Sequence, residues 1–155
     1  MKLTLQIIIL TVFFVCVVPC TLTLDWLAKQ RRRMTFDLAN LDHGVALRAI
    51  SMLESGDDPK AVGPLGERTA YQFMPDTWAT FSKIPFSQAG DYPKEADRVA
   101  VLHLRAIVNY LRAGKHTNKV EYVFGAWAYG PRQAVNFYNT DHCRRGANLY
   151  YDLLP

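Results

Sequence analysis

Residues 94–113, KEADRVAVLHLRAIVNYLRA, set the strongest constraint on what this chain can fold into. Val101, Leu104, Val108 and Leu111 fall on one side of a helical projection, while Arg98, Arg105 and Arg112 recur at heptad spacing on the other. Gly114 closes the run. A helix this long with one wet side must lie against other elements along most of its length. No stretch of the sequence alternates apolar and polar residues as a half-buried strand does, so the expected fold class is mainly α.

The rest of the chain is read around that helix. Residues 24–44 read as one or two helices with a basic face, in which KQRRR is a solvated surface. Asp42 is placed as the N-cap of a helix running to about Ser55. Residues 57–93 are dense in Pro, Gly, Asp and Ser, with a short helix at Asp76–Ser82 opened by Pro75. Irregular segments of that length inside a compact domain usually carry function. A last helix is expected over Lys119–Tyr138, interrupted by Gly125 and by Gly130-Pro131.

The N-terminus is a separate object. Lys2 precedes the apolar run LTLQIIILTVFFVCVV, so residues 1–24 read as a secretory signal peptide or an N-terminal membrane anchor, and residues 25–155 as the single domain. The expected location is accordingly exported: periplasmic, extracellular, or membrane-anchored through residues 3–24. Cys16 and Cys20 belong to the leader, which leaves Cys143 alone and makes a disulfide framework impossible. A net charge of +4 is too mild to require nucleic acid and is compatible with an anionic polymer.

Glu54 is the oddly placed carboxylate. Val45, Ala46, Leu47, Ala49, Ile50, Met52 and Leu53 make its helix largely apolar, with Arg48, Ser51 and Ser55 on a narrow polar side. Glu54 projects about 20° from Leu47 and about 40° from Ile50, at the margin of the apolar arc. A carboxylate set against apolar neighbours has its charged form disfavoured, which suits a general acid. Periodicity alone leaves a structural, ion-paired role open. Asp57 and Asp58, on the turn that breaks the helix, read as structural. His103 points to the apolar side of its helix and reads as a core histidine.

Three stretches in order resemble the soluble lytic transglycosylase and goose-type lysozyme families. Glu54-Ser55 matches the Glu-Ser pair that closes a helix, Gly66 the first loop glycine, and Gln72-Phe73-Met74-Pro75 the end of the loop. Downstream, Ala126, Gly130, Pro131 and Val135 match the Ala-Tyr-Asn-x-Gly-Pro element with its trailing valine. The resemblance spans about residues 42–138. It departs at Thr69, where a second loop glycine is usual, at Tyr71 before the glutamine, at Trp127 in place of Tyr and at Ala128 in place of Asn.

The resemblance implies a lysozyme-like single domain with a groove between helices and an irregular loop segment. It implies peptidoglycan glycan strands as the partner, with cleavage between N-acetylmuramic acid and N-acetylglucosamine. Glu54 would protonate the glycosidic oxygen, the sugar's acetamido group would assist, and Glu54 would then return as base. The 1,6-anhydro product of a lytic transglycosylase is the outcome favoured over hydrolysis. No second acid has a persuasive position in the sequence. Ser55, Tyr71, Gln72, Trp127 and Tyr129 are the candidate substrate-binding residues, Ser55 with an equal claim to finishing the helix and Tyr71 with an equal claim to the core. Trp127 offers an aromatic platform with an N–H donor. His43, His103, His116 and His142 do not pair at ligand spacing, so neither a metal nor another cofactor is expected. The rivals are a non-catalytic glycan-binding or envelope-assembly module, and a membrane-anchored partner in a machine that crosses the cell wall.

Overall fold

The computed structural model describes residues 24–155, and the chain divides into two compact units, Met1–Thr35 and Phe36–Pro155. The expected leader or anchor lies outside the described residues, save Leu24. In the described part of the first unit, residues 24–34 are helical and Leu24, Trp26 and Leu27 are exposed. Residues 25–35 of the expected domain therefore fall in that unit. Among the described residues, no helix is long and apolar enough to cross a membrane.

The second unit is mainly α. A short 3-10 turn, Leu38–Asn40, leads into α1 (His43–Ser55), α2 (Pro75–Phe81), a second 3-10 turn (Phe86–Asp91), α3 (Pro93–Ala113), α4 (Glu121–Tyr129), α5 (Ala134–Phe137) and α6 (Asp141–Leu153). Pairing of the β type is limited, among the described residues, to the isolated bridges Val62↔Arg68 and Arg68↔Phe73. The starts of these helices follow from their sequences. The Asp42 carboxylate accepts from the Val45 N–H at 3.0 Å, and Pro75 and Pro93 open α2 and α3, where a missing N–H costs nothing.

The end of α1 is built by two residues in left-handed backbone. Gly56 (φ 69°) and Asp57 (φ 70°) turn the chain back, so that the Gly56 N–H reaches Met52 O and the Asp57 N–H reaches Ser51 O. Asp57 is not a glycine, and its side chain holds the strain. Its carboxylate accepts from Ser51 Oγ at 2.7 Å and from the Arg48 guanidinium. Ser51 is consequently buried, although helical projection puts it on the polar side. Asp58 accepts from the Lys60 N–H at 2.9 Å, a local turn bond.

Packing then follows from the apolar faces. α1 lies on α6, α4 on α5 and α6, and α3 touches α1, α2 and α4. Ile50, Val99, Leu104, Ile107, Leu111, Val123, Phe124 and Tyr150 are all almost fully buried between them. The wet side of α3 is as expected, with Arg98, Arg105 and Arg112 exposed.

The C-terminal third differs from the expectation. Lys119–Tyr138 is not one helix: α4 stops at Gly130, whose φ of 85° excludes helix continuation, and α5 is a single turn. The last helix is α6, 13 residues that lie beyond the last element expected from the sequence. Its buried stripe is Cys143, Gly146, Ala147, Tyr150 and Tyr151, small and aromatic side chains in place of Leu and Val, with a glycine of poor helix propensity at the centre. The available signal is Thr140, whose hydroxyl accepts from the Cys143 N–H, ahead of that i, i+3, i+4, i+7 spacing.

Candidate active site

An open cleft of about 160 Å³ is lined by residues from five segments of the chain. Glu54 enters it from the last turn of α1; Glu67, Gln72, Phe73 and Met74 come from the loop that follows. Thr77 of α2, His103 of α3, and Trp127 and Ala128 of α4 complete the wall. The Glu54 side chain is 17% exposed, so it sits in the wall with its head reachable.

The loop owes its shape to backbone that is hard to adopt. Gly66 (φ 87°), Thr69 (φ 75°) and Gln72 (φ 50°) all occupy the left-handed region. A β-branched residue there is strained. Thr69 is held by full burial and by four hydrogen bonds: its N–H donates to Ala61 O, its carbonyl accepts from the Gln72 N–H and side-chain amide, and its hydroxyl accepts from the Tyr71 N–H. Thr69 is the position at which the resembled pattern has glycine, and the positive φ is the physical reason a glycine suits it. The paired Arg68 and Phe73 backbones then fold the loop onto itself and turn Gln72 toward Glu54's cleft.

Gly63 lies beneath this loop. A Cβ there would collide with Gln72 Oε1 and Glu67 Oε2 and would lie 3.0 Å from Glu67 Cδ. Both obstructing groups are flexible ends that can swing away, so Gly63→Ala is expected to change stability by under about 1 kcal/mol. It should nevertheless displace two side chains that line the cleft, Gln72 and Glu67. Thermal melts check the first half, and a crystal structure of the variant checks the second.

The aromatic wall is tied to the loop from behind. Trp127 Nε1–H donates to Tyr71 O at 3.2 Å, so the N–H donor of this aromatic platform is engaged within the protein. The Trp127 ring packs edge-on against His103 at 4.8 Å and lies 5.8 Å from Phe73. Tyr71 itself is buried, and its hydroxyl donates to Asp97 Oδ1 at 2.9 Å. Burial first and the Asp97 bond second push its phenol well above the ordinary range, keeping it a proton donor. Of its two expected places the core is the one found, and it is not among the cleft-lining residues.

His103 does both things at once. It is packed by Phe73, Phe81 and Trp127, and it also lines the cleft. Burial lowers its pKa to about 4, so the imidazole stays neutral through mildly acidic conditions. In the unfolded chain it gains its proton near pH 6.5. The unfolded state therefore binds more protons between those two pH values, and stability falls as pH drops through that window. The loss is at most about 3 kcal/mol, since each tenfold weakening of proton binding on folding corresponds to about 1.4 kcal/mol. Urea midpoints measured from about pH 7 to about pH 4 should show this slope, and His103→Asn should flatten it.

Ser55 and Tyr129 are placed beside the cleft rather than in its wall. Ser55 Oγ donates to Ala70 O at 2.9 Å and accepts from the Asp58 N–H at 3.1 Å, so it finishes the helix and anchors the loop. Tyr129 is partly exposed, with its ring 5.2 Å from Phe137 and 6.4 Å from His142.

Sequence reasoning misses three side chains. Glu67 brings a second carboxylate into Glu54's cleft, contrary to the expectation that no other acid is well placed; its Oε2 accepts from the Leu65 N–H at 2.8 Å. The Gly66 turn is what carries it there. His103 reads from its helix as core alone, without the cleft. His142, in the first turn of α6, places Nε2 3.1 Å from Glu54 Oε1. No local pattern could pair residues 88 positions apart.

The site and fold define a mainly helical protein with an acid-bearing cleft. Comparison with family models, with curated proteins and with solved structures gave no match.

Proposed function

We propose that this protein cleaves the β-1,4 bond between N-acetylmuramic acid and N-acetylglucosamine in peptidoglycan, on a lysozyme-like fold, with Glu54 as the acid. One observation carries the reading: the three separated stretches of the resemblance supply Glu54, Gln72 with Met74, and Trp127 with Ala128 to a single cleft. A left-handed backbone at Gly66 and Thr69, where that pattern has glycines, supports it further.

In this mechanism Glu54 gives its proton to the glycosidic oxygen as the bond to C1 breaks. The acetamido oxygen of the muramyl sugar holds the developing positive charge. The proton of the C6 hydroxyl then passes to Glu54 as that oxygen closes on C1, leaving a 1,6-anhydro end. In this reading Gln72 binds the sugar amides and the Trp127 face supports a ring, both from the wall of the cleft. Export by way of residues 1–24, or anchoring through residues 3–24, belongs to the same proposal.

Incubation of the full chain with purified sacculi, followed by mass spectrometry of the released fragments, tests the reading. Anhydro ends, one water lighter than reducing ends, are the expected product. Reducing ends alone would replace the transglycosylase outcome by hydrolysis, with Glu67 as the group to examine for water activation. The Ala128 side chain in place of an amide favours a second reading, a glycan-binding module without turnover. Binding to sacculi with no fragment released would decide for it.

A further inference from the structure

Among the described residues, the side-chain hydrogen-bond partner of Glu54 is His142, and the pairing spans two packed helices. Both groups are largely sheltered, at 17% and 23% side-chain exposure. His142 stands one residue after Asp141 in the first turn of α6, and its imidazole and the Tyr129 ring of α4 form a T-shaped pair with centroids 6.4 Å apart. Asp141 is occupied by Arg144 and Arg145 at 3.6 and 3.5 Å, which leaves the Glu54 carboxylate as the acid facing the imidazole.

We propose that His142 is a positioning residue for Glu54, its Nε2–H fixing Oε1 so that Oε2 is the oxygen offered to the scissile bond. This rests on the reading of Glu54 as the glycan-cleaving acid. The chemistry of the step gives the contact its direction. While Glu54 holds its proton, Nε2–H donates to a neutral carbonyl-type oxygen, an ordinary hydrogen bond. When the proton passes to the leaving glycosidic oxygen, Glu54 becomes a carboxylate and the same bond becomes charge-assisted and stronger. An interaction that tightens as the reaction proceeds raises turnover rather than substrate affinity. The returning proton, from the C6 hydroxyl or from water, is then received by the free Oε2, with Oε1 still held.

The role is specific enough to be separated from packing. His142→Phe keeps the ring and removes the donor; kcat on a soluble glycan-chain substrate should fall about 10- to 100-fold, the scale of one hydrogen bond to a charged group, with KM little changed. His142→Gln, whose amide N–H has similar reach, should recover most of that loss. His142→Asn, polar but too short to reach Oε1, should behave like the Phe variant and serves in its place should that variant fail to fold. A parental kcat in the Phe or Asn variant overturns the role, as does a Gln variant as slow as Phe. If the loss appears in KM alone, the residue shapes the groove and does not position the acid. An inactive parent would overturn the glycan-cleaving reading first, and this role with it; an active parent with silent His142 variants overturns this role alone.

Discussion

Glu54→Gln is expected to abolish release of fragments from sacculi while binding to them persists. Gln matches Glu in shape, and its side-chain oxygen can still accept from His142, so the helix end and the α1–α6 pairing should survive. What is lost is the transferable proton. General acid–base catalysis contributes about 10²- to 10⁴-fold. Here the same group is proposed both to give and to receive, so the deficit should lie at the upper end of that range. Parallel pull-down and fragment-release assays on parent and variant read the two effects separately. A variant that still released fragments at the parental rate would remove Glu54 from the mechanism.

The largest effect on stability is expected at Gly146, in the middle of α6. A Cβ there would stand 2.6 Å from Phe124 Cγ and 2.7 Å from Cε1, with both residues buried. The obstacle is a packed ring rather than the free end of a flexible side chain. Alanine is favoured over glycine in a helix by about 1 kcal/mol. Overpacking a dense core costs about 1–3 kcal/mol and can exceed that. At distances this short the steric cost lies at the upper end and wins by about 2 kcal/mol, so Gly146→Ala should lower the melting temperature by about 4–8 °C, given about 2–4 °C per kcal/mol for a chain of this size. Phe124→Leu in the same background should give back part of the loss, since residues in contact do not add independently. An alanine variant as stable as the parent would mean that α4 and α6 are less closely packed than these distances require. Because α6 carries His142, the variant should also be slower on glycan.

Much of the architecture is legible in the sequence because its causes are local. Asp42 and Gly56 bound α1, Pro75 opens α2, and the arginine spacing of α3 marks its wet side; each acts within one or two turns of its own residue. α6 escapes because Cys, Gly, Ala and Tyr make a buried stripe only when a neighbour such as Phe124 fills the space above the glycine. Ser51 escapes for a related reason: a narrow polar face becomes interior once Asp57 folds back over it.

The sequence by itself determined that the chain is mainly α, that Glu54 closes a buried helix, and that an irregular loop ending at Gln72-Phe73-Met74-Pro75 follows it. Only the tertiary structure decided what meets Glu54. It brought Glu67 round the Gly66 turn into the same cleft, engaged the Trp127 N–H with Tyr71, turned Tyr71 inward to Asp97 and set His142 against the carboxylate. Periodicity and capping report where a side chain points relative to its own helix axis. They carry no information about which distant helix lies opposite, and at this site that neighbour places the group beside the acid.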